Sequence, residues 1–177
     1  MSGMNTQETK KPDGPPLLAE ATEGELTAVG NYRQTGRVVK MRADAAGAYL
    51  NMTEQARADG AEIIPISGFR SSEYQETLFQ RAVIRYGSED AAVRWVARPG
   101  RSEHQTGLAI DLGDGKTPAY DVEPPFEETP AFDWLQRNAA RFGFELSYPR
   151  NNPRGVHYEP WHWRFVGTPE AKEVFQP

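Results

Sequence analysis

Residues 102–114 read SEHQTGLAIDLGD, and the alternation inside this stretch sets the architecture. Leu108, Ile110 and Leu112 fall on one face of an extended segment, and Ala109, Asp111 and Gly113 on the other. The apolar face belongs to a core. The opposite face presents a carboxylate between small residues, which leaves room above it for an ion and a substrate. His104 stands seven positions before Asp111; along a fully extended chain that is about 24 Å, too far for both to hold one ion unless the chain reverses. Gly107 supplies the reversal. Taken alone, the segment fits an ordinary surface aspartate and histidine equally well.

Working outward toward the N-terminus, Ala45, Tyr49, Met52 and Ala56 recur at helical spacing between Asp44 and Asp59, with Gly60 placed to end the helix. The apolar run from Glu62 to Ile66 reads as a strand whose Pro65 favours an edge or a strand end, and it runs into the loop Ser67-Gly68-Phe69-Arg70. Ser72 with Gln75 reads as a capping box for a helix carrying Leu78, Phe79, Ala82 and Tyr86 on one stripe. Ser88 is placed to cap a short helix to about Ala97, ended by Pro99 and Gly100. On the other side, Thr129 and Pro130 open a helix with Phe132, Leu135, Ala139 and Phe142 on one face and Gly143 as terminator. Strand-like runs occupy 107–112, 143–148 and 161–166, and no repeat is present. The expected class is α+β: a small, mostly antiparallel sheet flanked by helices, with the site on the sheet.

The chain has 177 residues, 38% of them hydrophobic, which suits one domain able to fold without disulfides or a structural metal. The absence of cysteine excludes thiolate metal sites, iron–sulfur clusters and thiol nucleophiles. A net charge of −5 with scattered Lys and Arg argues against a nucleic-acid partner. No apolar run reaches the roughly 20 residues of a membrane helix, and the opening MSGMNTQETKKPDGPP has no apolar core of a signal peptide. Residues 1–30, with Pro12, Pro15 and Pro16 and few large apolar side chains, read as a disordered arm or tether, leaving 31–177 as a single domain. Oligomeric state is not legible.

The chain holds three histidines, and two lie in the stretch 156–167, VHYEPWHWRFVG. Glu159 precedes His162 by three, the pairing of base and ligand used by zinc hydrolases, while Pro160 forbids the interior helix of an HExxH enzyme. Along an extended segment Trp161 and Trp163 share one face, and His162 with Arg164 the other. The alternative is a pair of core tryptophans with His162 a satisfied buried polar group. His104, Asp111 and His162, with a fourth position left for water, make a catalytic zinc set of two imidazoles and one carboxylate. His157 reads as a surface or supporting residue, and Asp114 and Asp121 as solvated turn carboxylates.

The strings SGFRSSEYQ, SEHQTGLAIDLGD and EPWHWRFVG resemble the three motif blocks of the VanY-type D-alanyl-D-alanine carboxypeptidases, a branch of the zinc peptidases grouped with lysostaphin and the D-Ala-D-Ala dipeptidases. The blocks span 67–167, and the approach GNYRQTGRVVKMRADAAGAYL is similar to the segment that precedes them. The family pattern Ser-x-His-x-x-Gly-x-Ala-x-Asp falls on Ser102, His104, Gly107, Ala109 and Asp111, which implies that His104 and Asp111 bind zinc; Glu-x-x-His falls on Glu159 and His162, which implies the base and the third ligand. The resemblance further implies that Arg70 binds the substrate by polarising its scissile carbonyl and stabilises the oxyanion, and that Gln75 and Ser102 lie near the substrate's terminal carboxylate or its amide. Each of the latter two has a competing structural role, Gln75 in a capping box and Ser102 in bracing the turn before His104. The implied activity is removal of the terminal D-alanine from peptidoglycan stem peptides with one zinc ion. L,D-carboxypeptidase activity, a cell-wall endopeptidase of the same fold and a non-catalytic, metal-containing cell-wall-binding module are the alternatives. Such a substrate implies action outside the cytoplasm, although no export signal is visible.

Overall fold

The computed structural model describes residues 16–176. β1 (Leu26–Asn31) and β2 (Val38–Arg42) pair antiparallel as a two-stranded sheet. α1 (Ala43–Ala58) buries Ala45, Tyr49, Met52 and Ala56, the positions its helical spacing selects. There follow β3 (Ile63–Ser67), α2 (Ser72–Tyr86), α3 (Glu89–Ala92), β4 (Ala109–Asp114), α4 (Pro130–Asn138), β5 (Phe144–Leu146), β6 (His162–Phe165) and α5 (Pro169–Val174). The main sheet runs β3-β4-β6-β5 with every pair antiparallel, so β3 and its Pro65 lie at an edge.

Leu108, Ile110 and Leu112 are fully buried and pack in one core with Met41, Tyr49, Met52, Phe126, Leu135, Trp163 and Phe165. Each contributes about 1.5–3 kcal/mol by leaving water, and together they hold one face of β4 down. α4 closes this core, with Thr129 Oγ1 accepting from Phe132 N at 3.2 Å as its cap. A second, smaller cluster of Phe79, Ala82 and Ala92 holds α2 against α3.

Several expectations are corrected. The arm does not extend to residue 30: β1 lies within it, and Leu18 N and Ala21 N donate to Gly100 O and Gln105 O, both at 2.8 Å, so the chain from Leu18 is tied to the domain. The part of the expectation on residues 1–15 lies outside the described residues. Ser71 rather than Ser72 caps α2, accepting from Tyr74 N at 3.2 Å, and Gln75 is not its capping partner. The helix after Ser88 ends at Ala92. The strand expected over 107–112 is displaced by two, because Gly107 takes the left-handed conformation (φ 69°) and β4 begins only after the turn.

Asp114 and Asp121 are not solvated. Asp114 is 2% exposed and accepts from Lys116 N at 2.8 Å, Thr117 Oγ1 at 3.1 Å and Ala131 N at 3.3 Å. Asp121 receives Arg33 at 2.8 Å and Gln34 at 3.1 Å. A Cβ on Gly113 would meet Asp121 Oδ1 at 2.6 Å, so that glycine serves close packing rather than space above Asp111.

Candidate metal centre and active site

Strand register does most of the assembly. Asp111 is paired across the sheet with His162 on one side and Ser67 on the other, so residues some fifty positions apart in the chain become neighbours. His104 arrives on the 3-10 turn Glu103–Thr106 that Gly107 ends, and His104 Nε2 lies 3.3 Å from Asp111 Oδ1. On the other flank His162 Nδ1 is 3.2 Å from the same oxygen. His104 Nε2 and Asp111 Oδ1 are nonetheless buried without a hydrogen-bond partner. Two buried polar atoms converge without satisfying each other, an arrangement costly for a protein alone and suited to a cation between them.

The donor set fits zinc. One atom each from His104, Asp111 and His162 lies within 4.8 Å of the others, all three residues are buried, and two imidazoles with one carboxylate leave a position for water or substrate. The orientation of His104 is fixed from behind: its Nδ1 sits 2.8 Å from Gly68 O, which can only accept, so Nδ1 carries the proton and Nε2 is left as the donor to a metal. Gly68 is needed for that placement, since a Cβ there would fall 2.2 Å from Lys40 O.

Electrostatics divide the roles. Burial, joined by the Arg70 guanidinium, pushes His104 down to about 4 and keeps it neutral. Burial opposes charge on Asp111 and on His162 as well, but their mutual proximity reverses it: the imidazoles hold Asp111 well below the usual carboxylate range, and the Asp111 and Glu103 carboxylates lift His162 to about 10. Glu159 is pushed up to about 8, chiefly by burial, with His162 tempering the rise.

Glu159 and Arg70 flank the triad. Glu159 is 7% exposed, and its Oε2 is 3.7 Å from His162 Nδ1. Its backbone forms a turn in which His162 N donates to Glu159 O at 3.2 Å, consistent with Pro160 ruling out a helix. Beyond the turn, Trp163 joins the core while His162 faces the site, as the alternation requires; Trp161 is also buried and lines the cavity. Arg70 leaves the end of β3 with its Nη2 3.7 Å from Asp111 Oδ2 and its buried Nε without a hydrogen-bond partner.

These residues open into a cavity of about 510 Å³, which Gln75, Ser102, Tyr148 and Trp161 also line. Gln75 Nε2 donates to Ala97 O at 2.8 Å, leaving its buried Oε1 without a hydrogen-bond partner. Ser102 is 3% exposed and precedes the His104 turn without capping it through its side chain. His157 stays outside the triad and stacks on Trp95 with ring centroids 3.8 Å apart. Glu103 and Tyr148 were not selected from the sequence: Glu103 is 1% exposed beside His162, and the Tyr148 ring packs 4.8 Å from the His162 ring. An acid directly before His104 was the only available signal for Glu103.

The sequence matches the family described as VanY: D-alanyl-D-alanine carboxypeptidase over residues 38–168. It is 38% identical over 136 residues to the Putative carboxypeptidase YodJ of Bacillus subtilis, covering 76% of this chain and 49% of that one. It is 36% identical over 135 residues to a D-alanyl-D-alanine carboxypeptidase of Enterococcus faecalis, covering 71% and 48%. The chain thus spans about half the length of these curated relatives. Among solved structures, the LdcB LD-carboxypeptidase superposes with a TM-score of 0.76 at 33% identity, covering 91% of this chain and 76% of that one. A mutant of the vancomycin resistance D,D-pentapeptidase VanY in complex with Zn(II) superposes with a TM-score of 0.65 at 29% identity, covering 92% and 88%.

Proposed function

The chain belongs to the VanY D-alanyl-D-alanine carboxypeptidase family, and from that premise we propose that it is a zinc-dependent D,D-carboxypeptidase that removes the terminal D-alanine from peptidoglycan stem peptides. The observation that carries the reading is the convergence of His104 Nε2, Asp111 Oδ1 and His162 Nδ1, with the Glu159 carboxylate 3.7 Å from the last of them. His104, Asp111 and His162 would hold the ion, which when bound would supply polarisation of the scissile carbonyl and a water whose pKa is brought toward 7.

Glu159 takes a proton from the attacking water as its oxygen bonds to the carbonyl carbon, then returns that proton to the nitrogen of the departing D-alanine as the C–N bond breaks. Arg70 donates to the oxyanion. Gln75 and Ser102 hold the substrate's terminal carboxylate or its amide; the unpartnered Gln75 Oε1 supports an amide N–H as its partner. Such a substrate places the action outside the cytoplasm. Among the described residues no helix is long and apolar enough to cross a membrane.

The likeness to the LdcB LD-carboxypeptidase favours one second reading, cleavage of the tetrapeptide stem. Mass spectrometry of stem peptides ending in D-Ala-D-Ala, and of tetrapeptides ending in one D-Ala, decides between them when each is incubated with zinc-loaded protein with and without chelator. Loss of one alanine from the pentapeptide alone, abolished by chelator, is expected. Trimming of the tetrapeptide moves the assignment to the second reading, and cleavage of neither by folded, zinc-bound protein refutes both.

A further inference from the structure

Glu103 is a carboxylate with no exposed side-chain surface, and burying one costs several kcal/mol unless it is well paired. It is paired on both oxygens. Oε2 accepts from Ser147 Oγ at 2.5 Å and faces His162 Nε2 at 3.0 Å; Oε1 accepts from Arg154 Nη1 at 2.8 Å and Arg164 Nη1 at 2.9 Å. Four groups from three stretches of chain therefore meet on one side chain. Ser147, Arg154 and His162 are not part of the apolar core, whose Trp163 and Phe165 alternate with His162 and Arg164 along β6; Arg164 also covers the Phe175 ring at 5.0 Å.

The two histidines of the triad offer opposite nitrogens toward Asp111, His104 through Nε2 and His162 through Nδ1. Each is held from behind by a different kind of acceptor: a backbone carbonyl, Gly68 O, for His104 and a carboxylate for His162. A carboxylate behind a ligating imidazole fixes the ring and makes its other nitrogen a stronger donor to a metal than a neutral carbonyl does. Ser147 and Arg154 also bracket the segment that carries Tyr148, whose ring packs on His162 and lines the cavity.

We propose that Glu103 is a positioning residue: it takes the Nε2–H of His162, turns Nδ1 to the metal, and through Ser147 and Arg154 fastens the 147–154 segment to that ring. The inference rests on the reading that His104, Asp111 and His162 hold zinc.

It is tested by the zinc dissociation constant, from competition with a chromogenic chelator, and by the exchange-protected Nε2–H resonance of His162 in zinc-loaded protein. Glu103→Ala is expected to weaken zinc binding about 10–100-fold and to lose the resonance. Glu103→Gln, which keeps the shape but removes the charge, provides the same reading if the alanine variant does not fold, with an expected weakening of about tenfold. Wild-type affinity and an unchanged His162 resonance in folded Glu103 variants overturn the assignment while leaving the metal reading intact. A wild-type protein that takes up no zinc refutes both.

Discussion

The cavity has two unlike sides. One is the four-stranded sheet and the turns that leave it, where Arg70, His104, Asp111, Glu159 and His162 stand over the large core. The other is α2, α3 and the chain beyond them, where Tyr86, Val93, Trp95 and Val96 line the same space over the small Phe79–Ala82–Ala92 cluster. On the sheet side, register and close packing set each polar atom to within a narrow range, as chemistry requires. On the helical side, Tyr86, Trp95 and His157 are stacked rings that offer area, with Gln75 Oε1 of α2 the directed polar atom among them. The proposed chemistry therefore draws on the sheet side, and the proposed contacts to the rest of a substrate on the helical side.

That division is broken most severely at Glu159. Glu159→Ala should lower kcat by about 10³-fold or more while the protein keeps its zinc, and retained turnover would remove the assigned base. Arg70→Ala should lower kcat by about 10²–10³-fold with KM nearly unchanged; an unchanged rate demotes Arg70 to a structural role. Ile110→Ala, a cavity beneath the triad, should cost about 2–5 kcal/mol in a denaturant titration. On the helical side, Trp95→Ala removes a ring that lines the cavity and should raise KM about fivefold at unchanged kcat. A fall in kcat there would place the helical wall within the reacting machinery and erase the contrast.

The same contrast governs what the sequence makes legible. β4 is readable because Leu108, Ile110 and Leu112 alternate with a polar face, and Gly107 and Pro160 are readable because their backbone limits are intrinsic. β1 is not, since only Val29 of its six residues is buried and its pairing partner comes from outside the segment. The cap of α2 slips by one because Ser71 and Ser72 stand side by side. Asp114 and Asp121 sit among turn residues in sequence, and only tertiary approach supplies Ala131 N and Arg33 as their partners. Glu103 follows the same rule, as Arg154 and Arg164 lie 51 and 61 positions away. Residues that act through local backbone rules, and the candidate site residues His104, Asp111, Glu159 and His162 carried by motif spacing, are visible in one sequence, whereas supporting residues such as Glu103, defined only by distant partners, are not.

The most direct test of the sheet-borne centre is the zinc content of purified protein, measured for the wild type and for His104→Ala, Asp111→Ala, His162→Ala and Glu159→Ala after equal zinc loading and dialysis. About one equivalent in the wild type and in Glu159→Ala, with zinc lost from each of the other three folded variants, is the predicted result. Full zinc retention in folded His162→Ala or Asp111→Ala would contradict it, because the ion would then be held somewhere other than where the β4–β6 register brings its ligands together.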